Sequence, residues 1–202
     1  EFVLGVLERL AERYGKREGL FGITPINEPV TEPMWTTMDV QGRYTPVEPE
    51  LAEGSAPNTL EFIQEFYLNA YDRIRPYMND DKYVVFHDAF QLHAWKEFLT
   101  QPHFSNVILD THQYLMMAEA FGCEQTPEAY LAYIEEHFAA EIAEVQEYVP
   151  VICGEWCLFN SFAVGMDTKG GQSSLNGVGR TEGAGVVDDA TKMEVYTKLA
   201  RA

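Results

Sequence analysis

NVILDTHQY, residues 106–114, begins with a polar residue, runs through three consecutive apolar ones at Val107, Ile108 and Leu109, and ends in His112 and Tyr114. A continuously apolar run of that length is the pattern of a strand covered on both faces, as in a parallel sheet. Working outward, KYVVFHDAF (82–90) and PVICGEWCLF (150–159) repeat the pattern, and LFGITPINEPV (20–30) reads as a fourth strand ending in Asn27-Glu28-Pro29.

Helical spacing fills the gaps. Phe2, Val3, Val6, Leu7, Leu10 and Tyr14 predict a helix over 2–14 that Gly15 stops. Asn58 with Glu61 resembles a capping box, and opens a helix whose Ile63, Phe66, Tyr67, Ala70, Tyr71 and Ile74 share one face. Leu92–Leu99 reads as a short helix. Thr126 and Pro127 read as N-cap and first residue of a long helix with Ile134, Phe138, Ile142 and Val145 inward, and Thr191–Ala202 as a last helix. Residues 31–58, rich in Pro, Thr and Glu, and the Gly- and Ser-rich stretch Gly165–Gly185 read as long loops.

Strands alternating with helices make an α/β fold with a parallel sheet. The expected architecture is a (β/α)8 barrel of which the chain holds about four central strands, 4 to 7, in a single domain over 1–202 that lacks the first strands and the last. A doubly wound sheet has the same element order, but its Gly-rich phosphate turn after a strand is missing from the sequence. A part-barrel exposes strand edges and apolar interior, so the isolated chain is expected to be poorly soluble or oligomeric and nearly inactive.

Charge narrows the partners. Acidic residues number 32 against 14 basic ones, a formal net charge of −18 that repels phosphate backbones and anionic lipid surfaces. Nucleic acid and membrane are therefore not expected as partners, and a neutral substrate is. Much of the acidity falls on expected helix exteriors, at Glu135, Glu136, Glu141 and Glu144. The three cysteines, Cys123, Cys153 and Cys157, have no C-x-x-C spacing. Cys153 and Cys157, four apart on an extended strand, would stand about 13 Å from each other, too far to bridge. Unpaired thiols lean towards a reducing compartment, with secretion as the alternative. No metal set and no cofactor motif is present.

In a barrel the chemistry collects at the C-terminal ends of the strands. Here those ends carry Asn27 and Glu28, His87 and Asp88, His112 and Tyr114, and Glu155 beside Trp156. Glu28 reads as a catalytic carboxylate or as a cap on a nearby amide, with Pro29 expected to hold its backbone extended. Glu155, in an otherwise apolar strand, is expected to be a buried carboxylate, costly without partners. Two carboxylates are what glycoside hydrolysis requires, one protonating the leaving oxygen and one attacking the sugar or activating water. His112 and Tyr114, two apart, point to one side of their strand. There the phenol would keep a neighbouring carboxylate ionised and the imidazole would hold a sugar hydroxyl, unless the pair is simply packed in the core. His87 has the same two readings, and Asp88 reads as a residue that orients backbone. Trp35, Phe90, Trp95 and Trp156 are either sugar-stacking platforms or core.

Taken together, Asn27-Glu28-Pro29, YLNAYDRIR (67–75), VFHDAF (85–90), NVILDTHQY (106–114), Gly154-Glu155-Trp156 and LNGVGR (175–180) resemble glycoside hydrolase family 5 in order and approximate spacing, and within it the exo-β-1,3-glucanase group. The resemblance spans residues 20–180. It implies a retaining hydrolase of β-glucan with Glu28 as acid/base and Glu155 as nucleophile. Asn27 is implied to bind the sugar 2-hydroxyl, His112 to contact substrate near the cleaved bond and Tyr114 to hydrogen-bond the nucleophile. His87, Trp156 and Asn176 are implied in substrate binding, with no cofactor, while Trp35 is a binding-cleft candidate from its own place in the long loop after the first strand. The stretch in which the family places an Arg and a His, and the strand that brings a Trp platform, fall outside the 202 residues. The loop at 31–57 is longer than the family's connection, so a β-1,4-glucan, a β-mannan or an aryl β-glucoside remains an alternative substrate. A non-catalytic glucan-binding barrel is a further alternative.

Overall fold

The computed structural model of the chain describes residues 1–43, 46–164 and 187–202; the LNGVGR segment with Asn176, and the whole of the expected Gly/Ser loop, lie outside them. The fold is α/β, with four strands in a sheet of order β1-β2-β3-β4. They are β1 (Gly22–Ile23), β2 (Tyr83–His87), β3 (Val107–Tyr114) and β4 (Val151–Cys157). β1 pairs with β2 in parallel, Gly22 opposite Tyr83, and β2 pairs with β3 in parallel from Val84–Val107 to His87–Asp110. The Leu109 amide donates to Pro150 O at 2.9 Å, just ahead of β4. Among the described residues no helix is long and apolar enough to cross a membrane.

Contacts divide the chain into two compact units. The first comprises 1–34, 50–111 and 144–152, and so holds β1, β2 and the N-terminal parts of β3 and β4. The continuous apolar runs are buried as expected: Val84, Val85 and Phe86 on β2, and Val107, Ile108 and Leu109 on β3. Helix α1 (Phe2–Tyr14) packs on α5 (Leu60–Ile74), which turns Ile63, Tyr67, Ala70, Tyr71 and Ile74 inward. Tyr67 stacks on Phe86 at 4.6 Å between ring centroids and lies 5.1 Å from Trp95, which is fully buried.

The second unit comprises 35–49, 112–143 and 153–202. Its core gathers Leu115 and Ala118 of α7 (Leu115–Ala120), Tyr130 of α8 (Pro127–Tyr133), and Val195 and Leu199 of the C-terminal helix Asp189–Leu199. Cys123, Ile134, Phe138, Leu158 and Phe162 pack around them.

Several boundaries differ from the sequence reading. The first strand is only Gly22–Ile23, not 20–30. Pro25 has no amide to give the ladder, and Glu28 turns to a left-handed φ of 45°, so the chain leaves the sheet early. A Cβ at Gly22 would come within 2.6 Å of Tyr83 O, so glycine permits the close β1–β2 approach. The expected loop at 31–58 contains three short helices, α2 (Glu32–Thr37), α3 (Val40–Arg43) and α4 (Pro49–Ala52). The cap of α5 is Thr59, whose hydroxyl accepts from the Phe62 amide at 3.1 Å, whereas Asn58 donates through its amide side chain to Val30 O. Thr126 caps α8 as expected, but the long helix is interrupted by a π-helical stretch at Ile134–Ala139 before α9 (Ala140–Val145). The last helix starts at Asp189 on an Asp188 cap, ahead of Thr191.

Candidate functional site

In the first unit the residues marked by the sequence are Asn27, Glu28 and His87. Asn27 is exposed and Glu28 half-buried just beyond β1. Glu28 does not adopt the extended backbone expected ahead of Pro29; its φ of 45° lies in the left-handed region. A non-glycine residue there is strained by about 1–2 kcal/mol, a cost that persists only where surrounding structure imposes it. Ala89 and Phe90, immediately after β2, share that strain with φ of 53° and 59°.

The end of β2 is held by buried donors. Tyr67 donates its hydroxyl to His87 O at 2.8 Å, and the Trp95 indole donates to Asp88 O at 2.6 Å. Burial first, and the charge of Asp88 second, pushes the Tyr67 phenol far above its ordinary value, so it stays a neutral donor. Asp88 itself orients backbone: Oδ1 accepts from the Phe90 amide at 2.8 Å, and Oδ2 from the Thr111 hydroxyl at 2.7 Å. The Ala89 amide donates to His87 Nδ1 at 2.9 Å, which places the proton of a neutral imidazole on Nε2. His87 is buried and thereby locked in one orientation.

In the second unit, alternation along β3 sends His112 and Tyr114 to one face, where both meet the carboxylate of Glu155 on β4. The Tyr114 hydroxyl donates to Glu155 Oε2, and His112 Nδ1 lies 3.7 Å from the same oxygen. His112 is buried, but the Glu155 side chain is 45% exposed. The expectation of a buried carboxylate is thus corrected. β4 ends the sheet order, and its residues Cys153 to Trp156 are all exposed. An exposed carboxylate needs no partner to survive, so an oriented one is the more informative finding.

Trp156 follows Glu155 and therefore faces the other way. It is 63% exposed and lines a cavity of about 220 Å³ with Gln113, Leu115, Ile134, Phe138 and Leu199. The structure thus gathers His112, Tyr114 and Glu155, and leaves Trp156 on the opposite face. Trp35 is half-buried on α2. Of the other aromatic candidates, Trp95 is core. Sequence reading gave Tyr67 a packing role only; the signal for more was its identity, because a buried tyrosine in place of phenylalanine calls for a hydrogen-bond partner.

All three cysteines are free thiols. No protein-family model matches the chain, and no curated protein matches it.

Proposed function

We propose that the chain carries the catalytic residues of a retaining β-glycoside hydrolase of the family 5 type, acting on β-glucan, with a β-1,3-linked chain cleaved from one end as the first substrate to test. Its four parallel strands are read as part of a (β/α)8 barrel. The observation that carries the reading is the carboxylate of Glu155, open to solvent yet oriented by the Tyr114 phenol with the His112 imidazole beside it.

Both contacts fall on Oε2, so Oε1 is the attacking oxygen. It forms a bond to the anomeric carbon as the glycosidic C–O bond breaks, and the leaving oxygen takes the proton of Glu28. In the second half, water gives a proton back to Glu28 and its oxygen displaces Glu155 from the anomeric carbon, restoring both groups. The Tyr114 hydroxyl stabilises the carboxylate that departs in this half. The strained backbone of Glu28 supports a functional role for that residue, since such strain concentrates at working sites. Asn27 and His87 are assigned to sugar hydroxyls, and the chemistry needs no cofactor.

The test is hydrolysis of laminari-, cello- and manno-oligosaccharides by a protein that carries the whole barrel, followed by NMR of the first-formed anomer. A β product from the laminari series is expected. A 2-fluoro-β-glucoside with a good leaving group, which slows the second step, should leave its sugar on the peptide containing Glu155. An α product, or label on another residue, refutes the mechanism.

A further inference from the structure

Glu119 is a carboxylate buried in the second unit, 4% exposed, and nothing in the reaction above uses it. It sits on α7, which starts at the residue after Tyr114. Its Oε1 accepts from the Tyr130 hydroxyl at 2.6 Å and from the Ser161 amide at 2.7 Å, and its Oε2 accepts from the Ser161 hydroxyl at 2.6 Å. Burial, followed by the Glu119 carboxylate, pushes the Tyr130 phenol far above its ordinary value, so it remains a donor. Asn160, also fully buried, donates to Leu158 O at 2.9 Å and accepts from the Ala163 amide at 2.8 Å. The segment leaving β4 is therefore fixed residue by residue, and Glu119 ties it to the helix that leaves β3.

Those two strands carry Tyr114 and Glu155. We infer that Glu119, through Tyr130 and Ser161, is a positioning residue that holds the exits of β3 and β4 together so that Glu155 stays aligned on Tyr114. Three donors on one buried carboxyl group give both of its oxygens a partner and make the connection stiff. The geometry also separates shape from charge. In Glu119→Gln the amide oxygen keeps the Tyr130 and Ser161 amide bonds, and the amide nitrogen donates to the Ser161 hydroxyl, so the clamp survives without its charge. Glu119→Ala loses all three bonds, and Tyr130→Phe loses the phenol link while keeping the ring.

The experiment uses 13C-ζ-tyrosine NMR to follow the Tyr114 ring, assigned by its loss in Tyr114→Phe, and amide exchange over 158–163. In Glu119→Ala and Tyr130→Phe the Tyr114 signal should move towards that of a solvent-exposed tyrosine, and exchange in the segment should quicken roughly tenfold or more while β2 stays protected. Glu119→Gln should restore both. If Glu119→Ala does not fold, Tyr130→Phe decides. An unmoved Tyr114 signal in folded Tyr130→Phe, or a glutamine variant that behaves like alanine, overturns the inference. Turnover adds a readout that rests on the proposed function: in Tyr130→Phe kcat and KM should fall together by up to about fivefold, the pattern of a slowed second step, not of lost binding. Absence of glycosidase activity from a protein that carries the whole barrel would sink the function and leave the NMR result to decide the clamp.

Discussion

Replacing Tyr114 with phenylalanine removes one hydroxyl and keeps the ring, and its effect falls on one half of the proposed reaction only. The hydrogen bond to Glu155 Oε2 is strongest when the carboxylate is charged and weak when it is esterified to a sugar. It therefore favours the second half, in which Glu155 departs as an anion, and gives the first half no help. A bond to a charged group contributes about 1.5–3 kcal/mol. With Glu155 45% exposed, water replaces part of it, leaving about 1 kcal/mol. That corresponds to roughly a fivefold slower second step. The assay is an aryl β-glucoside whose leaving group makes the first step fast. For Tyr114→Phe, kcat should fall about fivefold and KM by a similar factor, with kcat/KM nearly unchanged and a burst of aryl alcohol matching the enzyme concentration. A fall in kcat/KM with no burst would show that the phenol acts in the first step or in binding, and would refute this assignment of Tyr114.

Three further outcomes follow from the geometry. Tyr67→Phe leaves the buried His87 carbonyl without its phenol donor, which costs about 1–3 kcal/mol; a thermal melt should show Tm lower by roughly 2–4 °C per kcal/mol, and an unchanged Tm would contradict it. Glu28 sits at a φ that glycine adopts freely, so Glu28→Gly should be more stable than Glu28→Ala by about 1 kcal/mol in urea titration, with both lacking turnover; equal stabilities would mean that the backbone is not strained there. Asp188, whose carboxyl the Thr191 amide and then the Thr191 hydroxyl hold below the ordinary value of 3.8, stabilises the start of the last helix above that value and loses the effect as pH falls through its lowered one; protection of the Thr191 amide, corrected for intrinsic exchange, should therefore drop in acid, and should be independent of pH in Asp188→Asn.

The sequence disclosed the elements whose physics is local and periodic. β2 and β3 were legible because three or more consecutive apolar residues have no other economical home in a parallel sheet, and α5 because its inward residues recur at helical spacing. What stayed hidden has specific causes. β1 was overdrawn because a run of apolar residues outweighed Pro25, which ended pairing. α2 to α4 were invisible because six residues or fewer, rich in Pro, Glu and Thr, present no period. α7 was missed because it follows β3 with no turn residue between Tyr114 and Leu115. Within the candidate site, the facing of His112 and Tyr114 was read from the two-residue period. The same period separates Trp156 from Glu155, a consequence that adjacency in the sequence obscured.

The aromatic residues illustrate a more general point about reading function from composition. Rings were weighed in the sequence as sugar platforms or as core, because both uses demand apolar area. The use expected of Tyr114, holding a carboxylate by its polar tip, recurs at three rings whose sequence gave no such expectation: Tyr67 holds His87 O, Trp95 holds Asp88 O and Tyr130 holds Glu119. In these three the ring is fully buried while its polar tip fixes a backbone carbonyl or a carboxylate, an arrangement that a phenylalanine cannot provide and a flexible polar side chain would provide loosely. An apolar pattern places such a ring in the core but is silent on its donor, which is signalled only by the choice of tyrosine or tryptophan where phenylalanine would pack as well. Tyrosine-to-phenylalanine exchange is therefore the sharpest perturbation of this protein, because it removes the donor that aligns a strand end while leaving the core that builds the strand.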